Sequence, residues 1–259
     1  MFNYKNTAIH YTDTGKGNAV VLVHGFLEDA SMWQKTAKEL AKRYRVITVD
    51  LLGHGKSECY GYIHTMEDQA DMLFALISHL RLRKISIVGH SMGGYVALAF
   101  AELYPDNVRS LVLLNASAQA DSEERKINRG RAIEVVKKNS DAFIQMATRN
   151  LFDDKAHKKF KKEIAVFTTQ ALQTPVQGII AALEGMKTRM DREALLHFGP
   201  YPKLMIASEN DTIIPIKDIK EQVENTDVSL EIVPGGHVST IEQFQKVLDI
   251  LSAFLKKNG

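Results

Sequence analysis

A serine between glycines is the residue of this sequence best suited to chemistry. The segment is Gly89-His90-Ser91-Met92-Gly93, which follows a strand pattern at 84–88 and precedes a helical pattern that ends before Pro105. The strand pattern contains the β-branched residues Ile85, Ile87 and Val88. Because a strand that turns sharply into a helix brings its own backbone close together, the flanking positions need residues without a Cβ atom. This context predicts an exposed nucleophilic hydroxyl on Ser91, and the alternative is an ordinary tight turn.

A serine hydroxyl is a weak nucleophile at neutral pH, so it needs a base within hydrogen-bond reach. Among the nine histidines, His237 has the best position, because it follows the last predicted strand in the loop 234–237. His90 is adjacent to Ser91, but neighbouring side chains at a sharp turn point apart. We therefore predict that His237 is the general base.

A buried carboxylate must hold the imidazole of the base in the correct tautomer. Asp211 is the first candidate, since it lies just past the predicted strand 203–207. Glu209 is its nearest competitor, and a role in a surface turn is the alternative for both. Asp50 also follows a strand end, but it precedes the nucleophile in the chain.

The tetrahedral intermediate of such a reaction needs hydrogen-bond donors aimed at its oxyanion. Met92 can offer its backbone N–H at the start of the helix, and Phe26 can offer another from the loop after the first buried strand. We expect their side chains to line an apolar acyl pocket. The other pocket residues that we expect are His24, Gly25, His90, Phe143 and Met146. Ordinary core packing is the alternative for Phe143 and Met146.

Strands and helices alternate in the part of the chain that carries these residues. Apolar runs predict buried strands at 19–23, 45–49, 84–88, 108–114, 203–207 and 229–233. Helical patterns separate them, which is typical of a parallel sheet with helices on both faces. Ligands bind beyond the carboxyl ends of such strands. We therefore expect the loops of His24 and Asp50 to lie on the same edge as Ser91.

The alternation is interrupted between the fourth and fifth of these strands. Residues 117–199 contain no convincing strand, and helical patterns occupy 123–138, 140–151, 155–172 and 176–190. We predict an all-helical cap at 117–199, inserted into an α/β core formed by residues 1–116 and 200–259. The four lysines within 158–162 are expected to form a solvated helix face.

Composition limits the remaining classes of function. The 259 residues are 45% hydrophobic and carry a formal net charge of +2, which gives no electrostatic signal for nucleic acid or an anionic membrane. The lone cysteine, Cys59, allows no intrachain disulfide and is expected to be inert. No secretory leader or membrane-spanning run is visible, so a soluble cytoplasmic protein is expected. No metal-ligand spacing or cofactor-binding glycine loop occurs, and the oligomeric state is left open.

Five segments together resemble the α/β-hydrolase superfamily over essentially the whole chain. They are His24-Gly25-Phe26, the segment 50–57, the segment 89–94, Asn210-Asp211 and Gly236-His237. The resemblance implies a mostly parallel eight-stranded sheet with a helical cap after the sixth strand. It also implies a Ser91-His237-Asp211 triad with the amides of Phe26 and Met92 as the oxyanion hole.

Small capped esterases are the members that the chain most resembles, followed by carbon–carbon bond hydrolases and perhydrolases. Members with a nucleophilic aspartate are dehalogenases and epoxide hydrolases, and Ser91 at that position argues against both activities. We therefore expect a hydrolase of small-molecule carboxylic esters, without metal or cofactor. The alternatives are carbon–carbon, thioester or peracid chemistry with the same triad, and a ligand-binding protein on a hydrolase scaffold.

Overall fold

The computed structural model describes residues 1–258, which fold around a central β-sheet. The strands are β1 (Phe2–Tyr4), β2 (Thr7–Ile9), β3 (Tyr11–Thr14), β4 (Ala19–Val23), β5 (Arg45–Val49), β6 (Ile85–His90), β7 (Val108–Leu114), β8 (Lys203–Ser208) and β9 (Ser229–Val233). The helices are α1 (Gln34–Leu40), α2 (Met66–His79), α3 (Met92–Leu103), α4 (Glu123–Asn150), α5 (Lys161–Ala171), α6 (Val176–Lys187), α7 (Ala194–Phe198), α8 (Ile216–Val223), α9 (Ser239–Glu242) and α10 (Phe244–Asn258).

The central sheet has the strand order β3-β5-β4-β6-β7-β8-β9. All neighbouring strands are parallel except β3, which is antiparallel to β5. The mostly parallel architecture is therefore confirmed, but the expected count of eight strands is wrong, since the sheet has seven. The N-terminal residues instead form a separate hairpin of β1 and β2, because Lys5 and Asn6 adopt positive φ angles of 48° and 64° and turn the chain back on itself.

Helices cover both faces of the sheet. Alternate residues of a strand point to opposite faces, so Val21 of β4 packs into the core beside α2 and α3. Its neighbours Val20 and Leu22 pack on the other side with Trp33 and with Leu251 of α10. This double coverage explains why the central strands are continuous apolar runs.

The chain between β7 and β8 is helical, and among the described residues it contains no strand. The kink within α4 lies at Asn139 (φ −157°, ψ 85°), where the sequence separates two helical patterns. The Asn139 side chain accepts the backbone N–H of Ala142 at 3.1 Å and so begins the second half as an N-cap. The helix expected over 155–172 begins only at Lys161, after a 3₁₀ turn at Asp154–Ala156.

The two ends of this helical segment are joined to each other. The backbone N–H of Arg192 donates to the carbonyl of Ala118 at 2.8 Å. Asp121 is buried and forms ion pairs with Arg129 and Arg189. These contacts form a buried, charged junction between the two ends of the segment.

Helix α6 approaches the core at two glycines spaced two turns apart. A Cβ atom on Gly178 would overlap the backbone of Gly53, and one on Gly185 would overlap the backbone carbonyl of His64. The helix therefore rests directly on two core loops, with no side chain between the backbones.

None of the helices within residues 1–258 combines the length and the apolar character needed to cross a membrane.

Candidate active site

Ser91 occupies a strained turn between β6 and α3. Its φ of 51° and ψ of −118° are rare for a residue with a side chain. The glycines predicted to permit this turn have no room for a Cβ atom: one on Gly89 would overlap Gly93, and one on Gly93 would overlap the carbonyl of Val23. The turn holds the half-buried Ser91 at the carboxyl edge of the sheet.

His237 lies in the loop after β9 and contacts both other predicted residues. Its Nδ1 is 2.7 Å from Oδ2 of Asp211, and its Nε2 is 2.7 Å from Oγ of Ser91. Since an ionised carboxylate only accepts hydrogen bonds, Nδ1 carries the hydrogen and Nε2 is free to accept from the serine hydroxyl. The structure therefore brings Ser91, His237 and Asp211 into one chain of hydrogen bonds.

Asp211 is held ionised by its surroundings. Its Oδ1 accepts the backbone N–H groups of Ile213 at 2.8 Å and Ile214 at 2.9 Å. Burial alone would raise the pKa of Asp211, but the attraction of His237 and these hydrogen bonds outweigh it and hold the pKa below its usual value. A charged carboxylate can then fix the His237 tautomer.

The other two candidates for this carboxylate, Glu209 and Asp50, have different surroundings. Glu209 is exposed to solvent. Asp50 accepts the backbone N–H groups of Ala30 and Lys56, at 2.7 and 2.9 Å, and so orders the loops that follow β4 and β5. Of the three candidates, only Asp211 contacts His237.

Asn115 is a residue of the site that the motif patterns do not reveal. It follows β7 with a positive φ of 47°, and its Nδ2 donates to Asp211 Oδ2 at 2.9 Å. Its Oδ1 accepts the hydroxyl of Ser239 at 2.7 Å. The one signal in the sequence is that an asparagine, which tolerates positive φ, stands directly after a predicted strand. In the sheet, that strand lies next to the strand that precedes Asp211.

The two predicted oxyanion donors are available. In the described part of the chain, neither the backbone N–H of Phe26 nor that of Met92 donates to a protein acceptor. Met92 is the first residue of α3, where backbone N–H groups lack helical partners and the helix dipole favours negative charge. By contrast, the N–H of Gly25 is bonded to the Glu28 carboxylate.

Phe26 forms the apolar side of the site together with the helical segment. Its ring centroid lies 6.5 Å from that of Phe143 on α4, in an edge-to-face arrangement. Met146, on the same helix, is 56% exposed, and the structure does not enclose it as expected of a pocket residue. The reason is its place at the solvent edge of α4, whose buried face includes Phe143 and Ile144.

The predicted pocket histidines have both ring nitrogens occupied by protein groups. His24 Nε2 accepts the N–H of Leu51 at 2.9 Å, and its Nδ1 lies 2.8 Å from the carbonyl of Gly25. His90 contacts Glu28 and the carbonyl of His237, each at 2.9 Å. These side chains therefore organise the loops and are not oriented for direct contact with a substrate.

His54 is a fully buried histidine beside these loops. Its ring centroid lies 5.4 Å from that of His24 and 6.1 Å from that of Phe26. Burial, followed by repulsion from His24, lowers the pKa of His54 to about 3. Its Nδ1 lies 3.2 Å from the carbonyl of Leu52, and its Nε2 has no partner among the described residues.

The loop of His237 is bonded to the end of α4. The carbonyl of Leu151 accepts the backbone N–H groups of His237 at 2.8 Å and Val238 at 3.3 Å. Two residues later, Asp153 accepts the side-chain amide of Asn210 at 2.7 Å. The corner formed by residues 151–153 therefore contacts the loops that carry both His237 and Asp211.

A groove of about 350 Å³ lies beside these loops, between α5 and the core. Its lining includes Glu28, two residues after Phe26, and Thr240, three residues after His237. Ser91 is not among the residues that line it.

Nothing in residues 1–258 groups three or more His, Cys, Asp or Glu side chains in a way that could hold a metal ion. Cys59 is a half-buried thiol, and burial raises its pKa.

Comparison with known proteins identifies relatives with this architecture. A sequence model of the alpha/beta hydrolase fold family matches residues 18–244. The solved structure of a thermophilic esterase from Thermogutta terrifontis, with malate bound, superposes with a TM-score of 0.92 and 35% identity, covering 96% of this chain and 93% of that one.

Curated relatives have several different names. A 3-oxoadipate enol-lactonase 1 from Acinetobacter baylyi is 28% identical over 97% of this chain and 94% of its own length. A 2-hydroxy-6-oxononadienedioate/2-hydroxy-6-oxononatrienedioate hydrolase from Burkholderia vietnamiensis is 31% identical over 71% of this chain and 61% of its own. The acetyltransferase component of an acetoin cleaving system from Pseudomonas putida is 30% identical over 93% of this chain, which spans 64% of that relative. The family match covers most of the sequence and agrees with the sheet and the serine turn, and the chain belongs to the α/β-hydrolase family.

Proposed function

We propose that the protein is a serine hydrolase that cleaves carboxylic esters of small to medium acyl chain through an acyl-enzyme intermediate. The observation that carries the proposal is the hydrogen-bonded series in which His237 lies 2.7 Å from both Ser91 Oγ and Asp211 Oδ2. A hydroxyl, an imidazole and a buried carboxylate in this arrangement are the three groups that acyl transfer to serine requires.

The steps follow from the positions of the atoms. His237 Nε2 takes the proton of Ser91 as Oγ attacks the ester carbonyl carbon, and the backbone N–H groups of Phe26 and Met92 stabilise the oxyanion. Collapse of the intermediate breaks the ester C–O bond, and His237 gives its proton to the leaving alcohol. Water, activated by the same imidazole, then attacks the acyl-enzyme and releases the acid and the serine hydroxyl.

Two kinds of observation support an ester as the bond that is cleaved. The Thermogutta relative is an esterase, and the Acinetobacter relative is an enol-lactonase, which acts on a cyclic ester. The edge-to-face pair of Phe26 and Phe143 offers an apolar surface beside the oxyanion donors. We propose that residues 117–199 act as a cap whose Phe143 restricts the acyl group to moderate size.

A carbon–carbon bond hydrolase is the second candidate. It is favoured by the likeness to the 2-hydroxy-6-oxononadienedioate/2-hydroxy-6-oxononatrienedioate hydrolase, whose name gives hydroxy-oxo diacids as its substrates. The same triad would serve both reactions, so turnover of such an acid, measured beside p-nitrophenyl acetate and butyrate, distinguishes the two.

The proposed function predicts that p-nitrophenyl butyrate is hydrolysed and that Ser91→Ala lowers kcat/KM at least ~10³-fold, because the nucleophile is removed while binding remains. Ser78→Ala is a matched control, since Ser78 is an exposed helical serine. Unchanged turnover in Ser91→Ala would exclude the assigned nucleophile.

A fluorophosphonate probe separates an enzyme from a binding protein on the same scaffold. We expect the probe to label the wild-type protein at Ser91 and to leave Ser91→Ala unlabelled. A folded wild-type protein that resists the probe would favour the binding protein.

A further inference from the structure

Glu28 and His90 form a buried pair next to the proposed catalytic residues. Their side chains are 1% and 0% exposed, and His90 Nδ1 lies 2.9 Å from Glu28 Oε2. Glu28 belongs to the loop after β4, whereas His90 is the last residue of β6. The pair thus joins two segments that the sequence separates by 62 positions.

The second ring nitrogen of His90 determines the charge of the pair. Nε2 lies 2.9 Å from the backbone carbonyl oxygen of His237, which can only accept a hydrogen bond. Nε2 therefore carries a hydrogen, while Nδ1 faces the Glu28 carboxylate. A hydrogen on both nitrogens makes His90 an imidazolium balanced by an ionised Glu28.

The pKa directions agree with this assignment. Burial alone would lower the pKa of His90 and raise that of Glu28, since both would lose solvation of their charged forms. Mutual attraction and hydrogen bonding outweigh burial, so the pKa of His90 is raised and that of Glu28 is lowered.

The pair also contacts the loop of the oxyanion donors. Glu28 Oε2 accepts the backbone N–H of Gly25, the residue before Phe26. Gly25 has no room for a side chain, because a Cβ atom would lie 2.7 Å from Glu28 Oε2 and 3.1 Å from Ser91 Cβ. One carboxylate and one imidazole therefore connect the oxyanion loop, the serine turn and the histidine loop.

This arrangement is not optimised for stability. Glu28 Oε1 has no hydrogen-bond partner among the described residues, and an unpartnered buried carboxylate oxygen costs free energy. Buried ion pairs are often replaceable by apolar side chains without loss of stability. The contacts to three loops of the site therefore point to a role in alignment and electrostatics.

We propose that Glu28 and His90 are positioning residues of the catalytic site, which align the three loops and keep a buried positive charge beside the general base. The inference rests on the proposed serine hydrolase function. The rings of His90 and His237 lie 5.0 Å apart, and His90 bonds Glu28 through Nδ1 and the carbonyl of His237 through Nε2. A positive charge on His90 at this distance opposes a second positive charge on the neighbouring imidazole.

Two other titratable groups face this arrangement. Asp211 bonds His237 at Nδ1, and the attraction of Asp211 also raises the pKa of His90. His24 lies near Glu28, and its attraction lowers the Glu28 pKa. Neither Asp211 nor His24 bonds both Glu28 and His90. Substitution of Glu28 is therefore the most direct way to change the charge of His90.

Glu28→Gln tests the proposal. Glutamine has a similar shape and keeps an acceptor for Gly25, but it removes the negative charge, so His90 loses one proton and becomes neutral. The half-activity pH on the acidic limb of the kcat/KM profile is then expected to rise by roughly half to one pH unit. Glu28→Asp keeps the charge and is expected to restore most of the wild-type profile.

A matched control removes another buried carboxylate of the histidine loop. Glu242 accepts the backbone N–H of Gly236 at 3.1 Å but does not contact His90. Glu242→Gln is expected to lower activity without raising the half-activity pH. An acidic limb that stays unchanged or moves down in Glu28→Gln would overturn the proposal. Absence of both hydrolysis and probe labelling in the wild-type protein would instead overturn the proposed function.

If Glu28→Gln does not fold, a measurement that needs no turnover still tests the proposal. ¹⁵N NMR of the imidazole nitrogens in Ser91→Ala is expected to show one histidine that stays protonated at both nitrogens at a pH where an ordinary imidazole is neutral. His90→Asn in the same background assigns the signal by its loss. A His90 ring with only one protonated nitrogen at that pH would contradict the proposal.

Discussion

Single buried residues around the site have pKa values that differ from their ordinary values in water. Mutual attraction raises the pKa of the buried His90 and lowers that of Glu28, whereas burial lowers the pKa of His54 to about 3 and so keeps it neutral. In an unfolded chain the same imidazole has a pKa near 6.5. His54 therefore links the stability of the fold to pH in the weakly acidic range.

His54→Phe is expected to make the protein less sensitive to acid. Between about pH 6.5 and about pH 3, the unfolded state binds a proton at His54 and the folded state does not, so stability falls as the pH decreases. The loss reaches roughly 2 kcal/mol at pH 5. Urea unfolding at pH 7 and pH 5 should show a drop that is smaller by about this amount in the variant.

His197→Phe is the control for this measurement, since His197 is exposed. An equal acid dependence in His54→Phe and the wild-type protein would mean that His54 is already charged in the fold.

Motif spacing predicted the residues of the site that follow strand ends and missed those defined by tertiary neighbours. Ser91, Asp211 and His237 each follow a strand of a parallel sheet, so one rule of topology brings them to one edge. Asn115 and Glu28 also follow strands, but their roles depend on which loops lie next to them. A single sequence contains no signal for that adjacency.

At the scale of elements, helix α6 is positioned by two backbone contacts that only glycine permits. Gly178 rests on Gly53, and Gly185 rests on the carbonyl of His64. Periodicity predicts the helix but not this close approach, which depends on where the core loops lie. By contrast, Asn139 and its capping bond to Ala142 are visible in the sequence as a break between two helical patterns.

Gly178→Ala is expected to destabilise the protein, because the new methyl group would overlap the backbone of Gly53 and move α6 away from the core. A loss of about 1–3 kcal/mol is typical of such overpacking and should appear as a lower urea midpoint.

The matched control is Gly130→Ala in α4, where a Cβ atom meets nothing within 4 Å. Removing an unfavourable helical glycine there should stabilise the protein by up to about 1 kcal/mol. Equal effects of the two substitutions would show that α6 does not depend on backbone contact.

The closing helix illustrates a second limit of periodicity. The pattern over 240–255 predicts one helix, but the structure has a short α9 and a separate α10. Gln243 between them has a non-helical φ of −130°. The break follows the bonds of Glu242 to Gly236 and Asp153, which are contacts between distant segments.

At the scale of the whole molecule, buried charges fasten the helical segment to the core. Arg192 is 3% exposed and pairs with Glu67 on α2 and Glu102 on α3. Asp121 pairs with Arg129 and with Arg189 on the other side of the junction. The nearly equal numbers of acidic and basic residues in the sequence therefore include side chains that are paired in the interior as well as side chains in solvent.

Asp121→Asn is expected to lower the free energy of unfolding by about 3 kcal/mol, because two arginines lose their shared buried carboxylate. Limited proteolysis should then cut first between β7 and β8, since the junction of that segment is weakened. Glu134→Gln, which breaks an exposed pair with Lys137, should leave stability nearly unchanged. If the Asp121→Asn variant is as stable as the wild-type protein, the junction does not depend on this carboxylate.

The bond between Leu151 and the backbone of His237 limits how a substrate can be admitted. Since the carbonyl of Leu151 accepts the N–H groups of both His237 and Val238, raising that end of α4 would either break these bonds or move the loop of His237 with it. In the proposed reaction, an entrance that opens there would disturb the contact of His237 with Ser91 while the substrate enters. A substrate that enters without disturbing the alignment of His237 with Ser91 must therefore pass other parts of the segment. A small molecule bound under residues 151–153 is expected to inhibit the proposed reaction without occupying the acyl site.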